Sequence, residues 1–164
     1  MLRIAAQLVL YVPLMVIIGY FSTEPRFSAV GPGQALLRLS FIHTAERRQA
    51  CRERSAEELA KLAPNMRAAL DCPRERADVL VELEIDGAVV LHREIRPAGL
   101  QHDGNAVVYQ RLALPAGRHR VVARLRDRAE GGFNFNRDET VDLAAGRVLL
   151  IDFNASQGGF LFRS

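Results

Sequence analysis

The chain has 164 residues, about the length of a single domain. Its composition, 49% hydrophobic and 25% charged, is that of a globular protein and excludes a disordered or collagen-like chain. Two cysteines are too few for a disulfide-framework miniprotein, and a net charge of +3 argues against nucleic-acid binding.

Residues 4–21 form an uncharged, almost purely apolar segment near the N-terminus. A helix of that length spans roughly 27 Å, close to the hydrocarbon thickness of a bilayer. Pro13 lies inside the segment, which membrane helices tolerate better than soluble ones, and Tyr20 and Phe21 lie where interfacial aromatic residues are common. We therefore expect a transmembrane anchor at residues 1–22, in contact with the lipid bilayer through residues 4–21.

Two alternatives to an anchor are a cleaved signal peptide and a buried helix of a soluble core. A signal peptide needs small residues before its cleavage site, and Gly19–Pro25 offers no convincing pair. A core helix would show a polar stripe, whereas the only polar residue here is Gln7. Arg3 precedes the segment, and Glu24 and Arg26 cancel after it, so the positive-inside rule places the C-terminal domain outside the cytoplasm. The predicted location is the cytoplasmic (inner) membrane, with that domain periplasmic or extracellular.

The rest of the chain alternates between strand-like runs and turn residues. Ser, Pro and Gly are frequent in residues 23–34, which we interpret as a linker. Seven strands are predicted, at residues 35–42, 79–85, 88–95, 106–114, 118–128, 140–143 and 147–154. An antiparallel β-sandwich is the natural way to bury the apolar faces of such strands, so the fold class is mainly β. The sandwich is predicted at residues 35–155, followed by a C-terminal tail at 156–164.

Residues 44–72 do not fit the strand pattern, because they are charged and rich in alanine. Ser55 and Glu58 have the spacing of a capping box, which predicts a short helix at residues 56–62 that ends before Pro64. This segment is interpreted as a helical insertion between the first and second strands of the sandwich.

Cys51 and Cys72 flank the predicted helix of the insertion. In an exported domain two cysteines most often pair, and closing this loop would stabilise the fold by ~3 kcal/mol in the chain-entropy model. Free thiols are one alternative. A metal or redox pair is another, with His43, Cys51 and Cys72 as the only metal cluster that the sequence suggests.

The sequence carries no motif for nucleophilic, metalloprotease or phosphate-binding chemistry. We therefore predict no catalytic residue, no cofactor and no enzymatic activity.

Arginine recurs with a period of two along the strand that begins at Arg118, so Arg118, Arg120, Arg124 and Arg126 share one face. This row is a candidate interaction surface for anionic lipid, nucleic acid or an acidic protein. Alternatively, it is a solvated face that carboxylates of neighbouring strands neutralise, the candidates being Glu82, Glu84, Asp138 and Asp142.

Aromatic residues next to glycines form a second set of candidate interaction residues: Phe133, Phe135, Phe160 and Phe162. If they are exposed, they would anchor a partner. The alternative is that they pack over the ends of the sandwich.

Residues 105–154 resemble carboxypeptidase-regulatory-like (prealbumin-like) and PEGA-type β-sandwich modules. The residues that carry the resemblance are Val108–Gly117, His119–Leu125 and Val141–Phe153, a strand, a Pro-Ala-Gly turn, an alternating strand and a glycine turn into a last strand. The resemblance implies a β-sandwich that serves adhesion, scaffolding or interaction without catalysis. The helical insertion with its cysteines departs from that pattern.

Together these features predict a membrane-anchored, extracytoplasmic β-sandwich that mediates protein interaction or assembly with an unidentified envelope or membrane protein. The alternative is an accessory or assembly subunit of a membrane respiratory or transport complex, with metal handling through His43, Cys51 and Cys72.

Overall fold

The computed structural model describes residues 2–24 and 30–164, without the side chains of residues 2, 3 and 6. Residues 25–29 of the predicted linker lie outside the described residues. An apolar helix, α1, covers Leu2–Thr23 and includes Pro13. Within the part of the chain whose side chains are described, no helix is long and apolar enough to cross a membrane.

The remainder of the chain is mainly β. Its strands are β1 Gln34–His43, β2 Arg52–Glu53, β3 Leu70–Asp71, β4 Val79–Ile85, β5 Ala88–Ile95, β6 Ala106–Pro115, β7 Gly117–Arg126, β8 Phe135–Leu143, β9 Val148–Asn154 and β10 Gly159–Arg163. One short helix, α2, covers Ala56–Lys61, and 3₁₀ turns cover Pro64–Met66 and Ala155–Gln157.

Eight of the strands form two four-stranded sheets. Sheet A has the order β10-β9-β1-β6, and sheet B has the order β5-β4-β7-β8. All neighbours are antiparallel except β1 and β9, which run parallel. The apolar residues that alternate along the strands meet in one core; those with less than 2% exposure include Leu37, Leu39, Leu83, Leu125, Leu149 and Ile151. The prediction of a mainly β chain is confirmed.

Two details of the predicted sandwich are wrong. It has eight strands and not seven, because residues 159–163 of the predicted tail form β10 and pair with β9. It is also not purely antiparallel, since β1 pairs with β9 in parallel. The alternation along a strand shows which side chains are buried, but the direction of its neighbour depends on the connections between strands.

Strand β8 is longer than the predicted residues 140–143, because it begins at Phe135. Its first half is polar and lies at the edge of sheet B, paired only with β7. An edge strand with charged side chains lacks the apolar alternation on which the prediction depended.

Candidate interaction surfaces

The insertion folds as a small lobe, residues 51–72, closed at its base by a disulfide between Cys51 and Cys72. Next to the disulfide, β2 and β3 pair antiparallel. The predicted capping box is present: the Glu58 backbone N–H donates to Ser55 Oγ at 3.2 Å, and the Ser55 N–H donates to Glu58 Oε2 at 3.0 Å. The disulfide prediction is confirmed. The bond restrains a lobe whose helix buries no residue.

The metal cluster suggested by the sequence does not form. Cys51 and Cys72 are bonded to each other, so neither offers a thiolate. Across the residues that the structure describes, no group of three or more His, Cys, Asp or Glu side chains has the arrangement of a metal site.

His43 instead contacts a buried carboxylate. Its Nε2 lies 2.6 Å from Asp127 Oδ2, and the Asp127 side chain is only 7% exposed. Asn134 completes the arrangement, since its Nδ2 donates to Asp127 Oδ1 at 2.7 Å while its Oδ1 accepts from the Asp127 backbone N–H at 3.2 Å. These three residues join the end of β1 to the β7–β8 connection. A buried carboxylate whose two oxygens are both hydrogen-bonded is typical of a structural contact.

The arginines of β7 lie on the outer face of sheet B, opposite carboxylates. Arg124 is central: its Nη1 lies 2.6 Å from Glu82 Oε1, and its Nη2 lies 2.9 Å from Glu84 Oε2. Arg120 pairs with Asp138 through two nitrogens, and Arg126 reaches Glu94 at 3.5 Å. The carboxylates considered from the sequence therefore pair with Arg120 and Arg124, whereas Glu94, the partner of Arg126, was not among them. Arg118 is exposed at the start of the strand.

These contacts shift protonation equilibria in the direction that strengthens the pairs. The pKa of Glu82 is lowered by its hydrogen bond with His92 and then by Arg124, and the pKa of Asp138 is lowered by the hydrogen bond from Arg120. The pKa of Arg124 is raised by its hydrogen bonds to Glu82 and Glu84. The row that is most visible in the sequence is thus part of an ion-pair network.

His119, on the same strand, joins the two sheets at one end of the sandwich. Its Nδ1 lies 2.6 Å from Asp86 Oδ2 in the β4–β5 turn, and its Nε2 lies 2.9 Å from the Pro115 carbonyl oxygen at the end of β6. Because both partners only accept, the ring donates twice when it carries both protons. The hydrogen bond with Asp86, followed by that with Pro115, raises the pKa of His119.

The predicted aromatic anchors divide between core and surface. Phe160 is 3% exposed, and Phe135 is partly buried against the core, with its ring centroid 5.0 Å from that of Phe153. Phe162 also packs on the core and lies under the Arg137 guanidinium at 5.4 Å. These three rings therefore pack over the end of the sandwich and do not form an exposed anchor for a partner. Phe133, in the β7–β8 connection, is 37% exposed.

The outer face of sheet A carries apolar side chains in contact with solvent. Ile42 and Val107 are cross-strand partners, 65% and 59% exposed, and Tyr109 is 56% exposed. Val148, at the start of β9, is 41% exposed. Ile42, Val107 and Tyr109 are out of phase with the buried positions of their strands, so they lie on the outer face although they are large and apolar.

The same face carries a row of arginines, which we call the basic row: Arg111, Arg38 and Arg163. Arg111 and Arg38 are directly opposite in the β6–β1 pair. Leu150 of β9 is the partner of both Arg38 and Arg163, so the row continues across the sheet. All three arginines are exposed, and none forms an ion pair with a residue that the structure describes. The basic row is not visible in the sequence, because its members are 52 or more residues apart along the chain.

A shallow groove lies where the edge strands β5 and β6 approach each other. It holds about 200 Å³ and is lined by Leu91, Arg93, Ile95 and residues 107–110. Small-molecule sites commonly enclose roughly 300–1,000 Å³. The groove is therefore small for a substrate pocket.

No protein family, curated protein or solved structure significantly matches this chain. The resemblance of residues 105–154 to carboxypeptidase-regulatory-like and PEGA-type modules stays a prediction.

Proposed function

We propose that this protein is a membrane-tethered β-sandwich that acts by binding and assembly, not by catalysis, with the sandwich outside the cytoplasm. The observation that carries the proposal is the apolar helix α1. Its large apolar side chains are between 48% and 75% exposed, so they do not pack into the core of the sandwich.

Such exposure in water is unfavourable, because removing apolar surface from water lowers the free energy by about 25 cal/mol per Å². Contiguous exposed apolar surface of this kind marks a membrane or protein contact. The whole helix has 22 residues, including the three whose side chains are not described, which corresponds to about 33 Å and is comparable to a bilayer core. A lipid bilayer is therefore the environment that we propose for α1.

Two further features support a sandwich outside the cytoplasm that acts by binding a protein partner. The Cys51–Cys72 disulfide is of a kind that persists mainly in oxidising compartments. The lobe that it closes exposes Met66 and Leu70 by 61% and 52%, which offers apolar contacts to a protein partner. The polar groups considered above, such as the His43–Asp127 pair, are occupied in structural contacts.

The anchor is tested by membrane retention of the full-length chain after an alkaline wash. We expect Val12→Asp, in the middle of α1, to reduce retention strongly, since a charge at the centre of a membrane helix costs about 3 kcal/mol, roughly a hundredfold in partition. The matched control is Val89→Asp on β5: the two valines are 55% and 56% exposed. That variant should be retained like wild type.

Equal retention of both variants, or wild-type protein in the soluble fraction, would contradict the anchor. Intact mass should also show α1 still present in the mature protein, since its loss would identify a cleaved signal peptide. A reporter active only outside the cytoplasm, fused after Ser164, should be active; an inactive reporter would reverse the proposed orientation.

A further inference from the structure

We propose that the outer face of sheet A binds the anionic phospholipid headgroups of the membrane that holds α1, so that the sandwich lies with this sheet against the bilayer. The inference rests on the proposed membrane anchor and adds a second, electrostatic contact to it.

The strands of the two sheets differ in the charge that they carry. The four strands of sheet A contain three arginines, Arg38, Arg111 and Arg163, and a single carboxylate, Asp152. Asp152 Oδ1 accepts a hydrogen bond from the Phe153 backbone N–H at 2.7 Å. The strands of sheet B hold equal numbers of arginines and carboxylates, six of each. Sheet A is thus the face with an uncompensated positive charge.

Arg38 lies directly opposite Arg111 in the pair of β1 and β6. Like charges directly opposite in an antiparallel pair destabilise a sheet. Sheet B avoids this cost, since its Arg124 is the cross-strand partner of Glu82. An anionic ligand would relieve the repulsion in sheet A, because the guanidinium group is suited to bidentate contact with phosphate.

The side chains around the basic row favour a lipid surface. Tyr109, Val107 and Ile42 are all more than half exposed on the same face. Tyrosine and arginine are typical of membrane–water interfaces, where an apolar part lies toward the acyl chains and a polar end toward the headgroups. The strand register places all three arginines on the same face of the sheet.

The chain between helix and sheet is short enough for this contact. Helix α1 ends at Thr23 and β1 begins at Gln34. The ten residues between them reach at most about 35 Å. Arg38 is four residues further, ~13 Å along the strand. The length of this connection therefore allows sheet A to reach the bilayer.

The test uses full-length protein reconstituted into vesicles of phosphatidylcholine alone or with 30% phosphatidylglycerol. A photo-cross-linking benzoylphenylalanine replaces Tyr109, and lipid adducts are counted by mass spectrometry. We expect adducts mainly in the anionic vesicles. Each arginine near an anionic surface increases the affinity about fivefold. The Arg38→Glu/Arg111→Glu/Arg163→Glu variant should therefore lose most of the lipid adducts.

The matched control variant is Arg74→Glu/Arg96→Glu/Arg128→Glu, which makes the same change in charge at exposed arginines outside the basic row and outside the groove beside Tyr109. It should keep the adducts of wild type, and a probe at Val89 on sheet B should give few. Thermal unfolding of each variant checks that the sandwich is folded. If the triple variant is unfolded, the single Arg111→Glu variant replaces it, with an expected decrease of about fivefold.

Alkaline-wash retention, measured on the same samples, separates this inference from the anchor. Retained protein without lipid adducts at Tyr109 would overturn the lipid contact and leave the anchor intact. Equal adducts in neutral vesicles, or in the basic-row variant, would also overturn it. Cross-links between two copies of the chain would identify sheet A as a self-association surface instead.

Discussion

The two outer faces of the sandwich use arginine in different ways. On sheet B, Arg120, Arg124 and Arg126 each pair with a carboxylate of another strand of the sheet. On sheet A, Arg38 and Arg111 lie next to each other. The difference shows that the number of arginines on a strand does not determine the electrostatic potential of its sheet face. The other strands of the sheet determine whether the arginine charges are neutralised.

The largest effect is expected at the centre of the sheet B network. Arg124→Gln leaves Glu82 and Glu84, whose side chains are 15% and 18% exposed, without their shared partner. We expect the free energy of unfolding to fall by about 2 kcal/mol, as for a partly buried charge that loses its partner. Urea unfolding measures this. Arg38→Gln is the matched control on sheet A and should cost nothing; equal losses in both variants would break the comparison.

Acid should act on sheet B through the same pairs. Glu82 and Asp138 have lowered pKa values, from His92 and Arg120 respectively, so their contribution is complete above the ordinary values of 4.5 and 3.8 and is lost as pH falls through the lowered values. The contribution of these two carboxylates to the free energy of unfolding should therefore be constant from pH 7 to about 5 and decrease below. Asp138→Asn should be less stable than wild type at pH 7 and approach it as pH falls through the lowered pKa of Asp138. A constant difference between the two proteins at all pH values would refute this origin of the acid sensitivity.

The junction between the sheets should respond to pH in the opposite direction. The pKa of His119 is raised above 6.5 by Asp86 and Pro115, so its contribution is complete below that value and is lost as pH rises through the raised pKa. His119→Gln should lower the melting temperature by a few degrees at pH 6, and the difference should vanish at alkaline pH. Asp86→Asn should give a similar loss at pH 6, because it removes the charge that pairs with His119. It should add no backbone strain, since asparagine tolerates the positive φ of 52° at this position. A loss that persists unchanged at alkaline pH would show that the His119 charge is not responsible.

The smallest effect is expected in the basic row. Arg38→Glu replaces a like-charge pair with an opposite-charge pair to Arg111, which should raise the free energy of unfolding by roughly 0.5 kcal/mol. Arg38→Gln should give an intermediate value, since it removes repulsion without adding attraction. Differential scanning calorimetry at low salt has the sensitivity for this comparison. A lower stability of Arg38→Glu would mean that Arg38 and Arg111 do not repel each other in the folded protein.

Much of the local structure follows from the sequence. The alternation in residues 79–85 predicts β4 with its observed bounds, and the Asp86-Gly87 turn into β5 is present. The spacing of Ser55 and Glu58 predicts the start of α2. These features are short-range, so a few neighbouring residues determine them. Pairing of Cys51 with Cys72 is also predictable, because the chain offers no other cysteine.

Tertiary structure alone decided which arginines are neutralised and which are not. The β7 row is visible in the sequence because its members belong to one strand, but its carboxylate partners come from β4, β5 and β8. The basic row is invisible because strand order brings Arg38, Arg111 and Arg163 together from three separate strands. The physical reason is that alternation along a strand determines the face on which a side chain lies, whereas its electrostatic environment depends on residues about 5 Å away across the sheet.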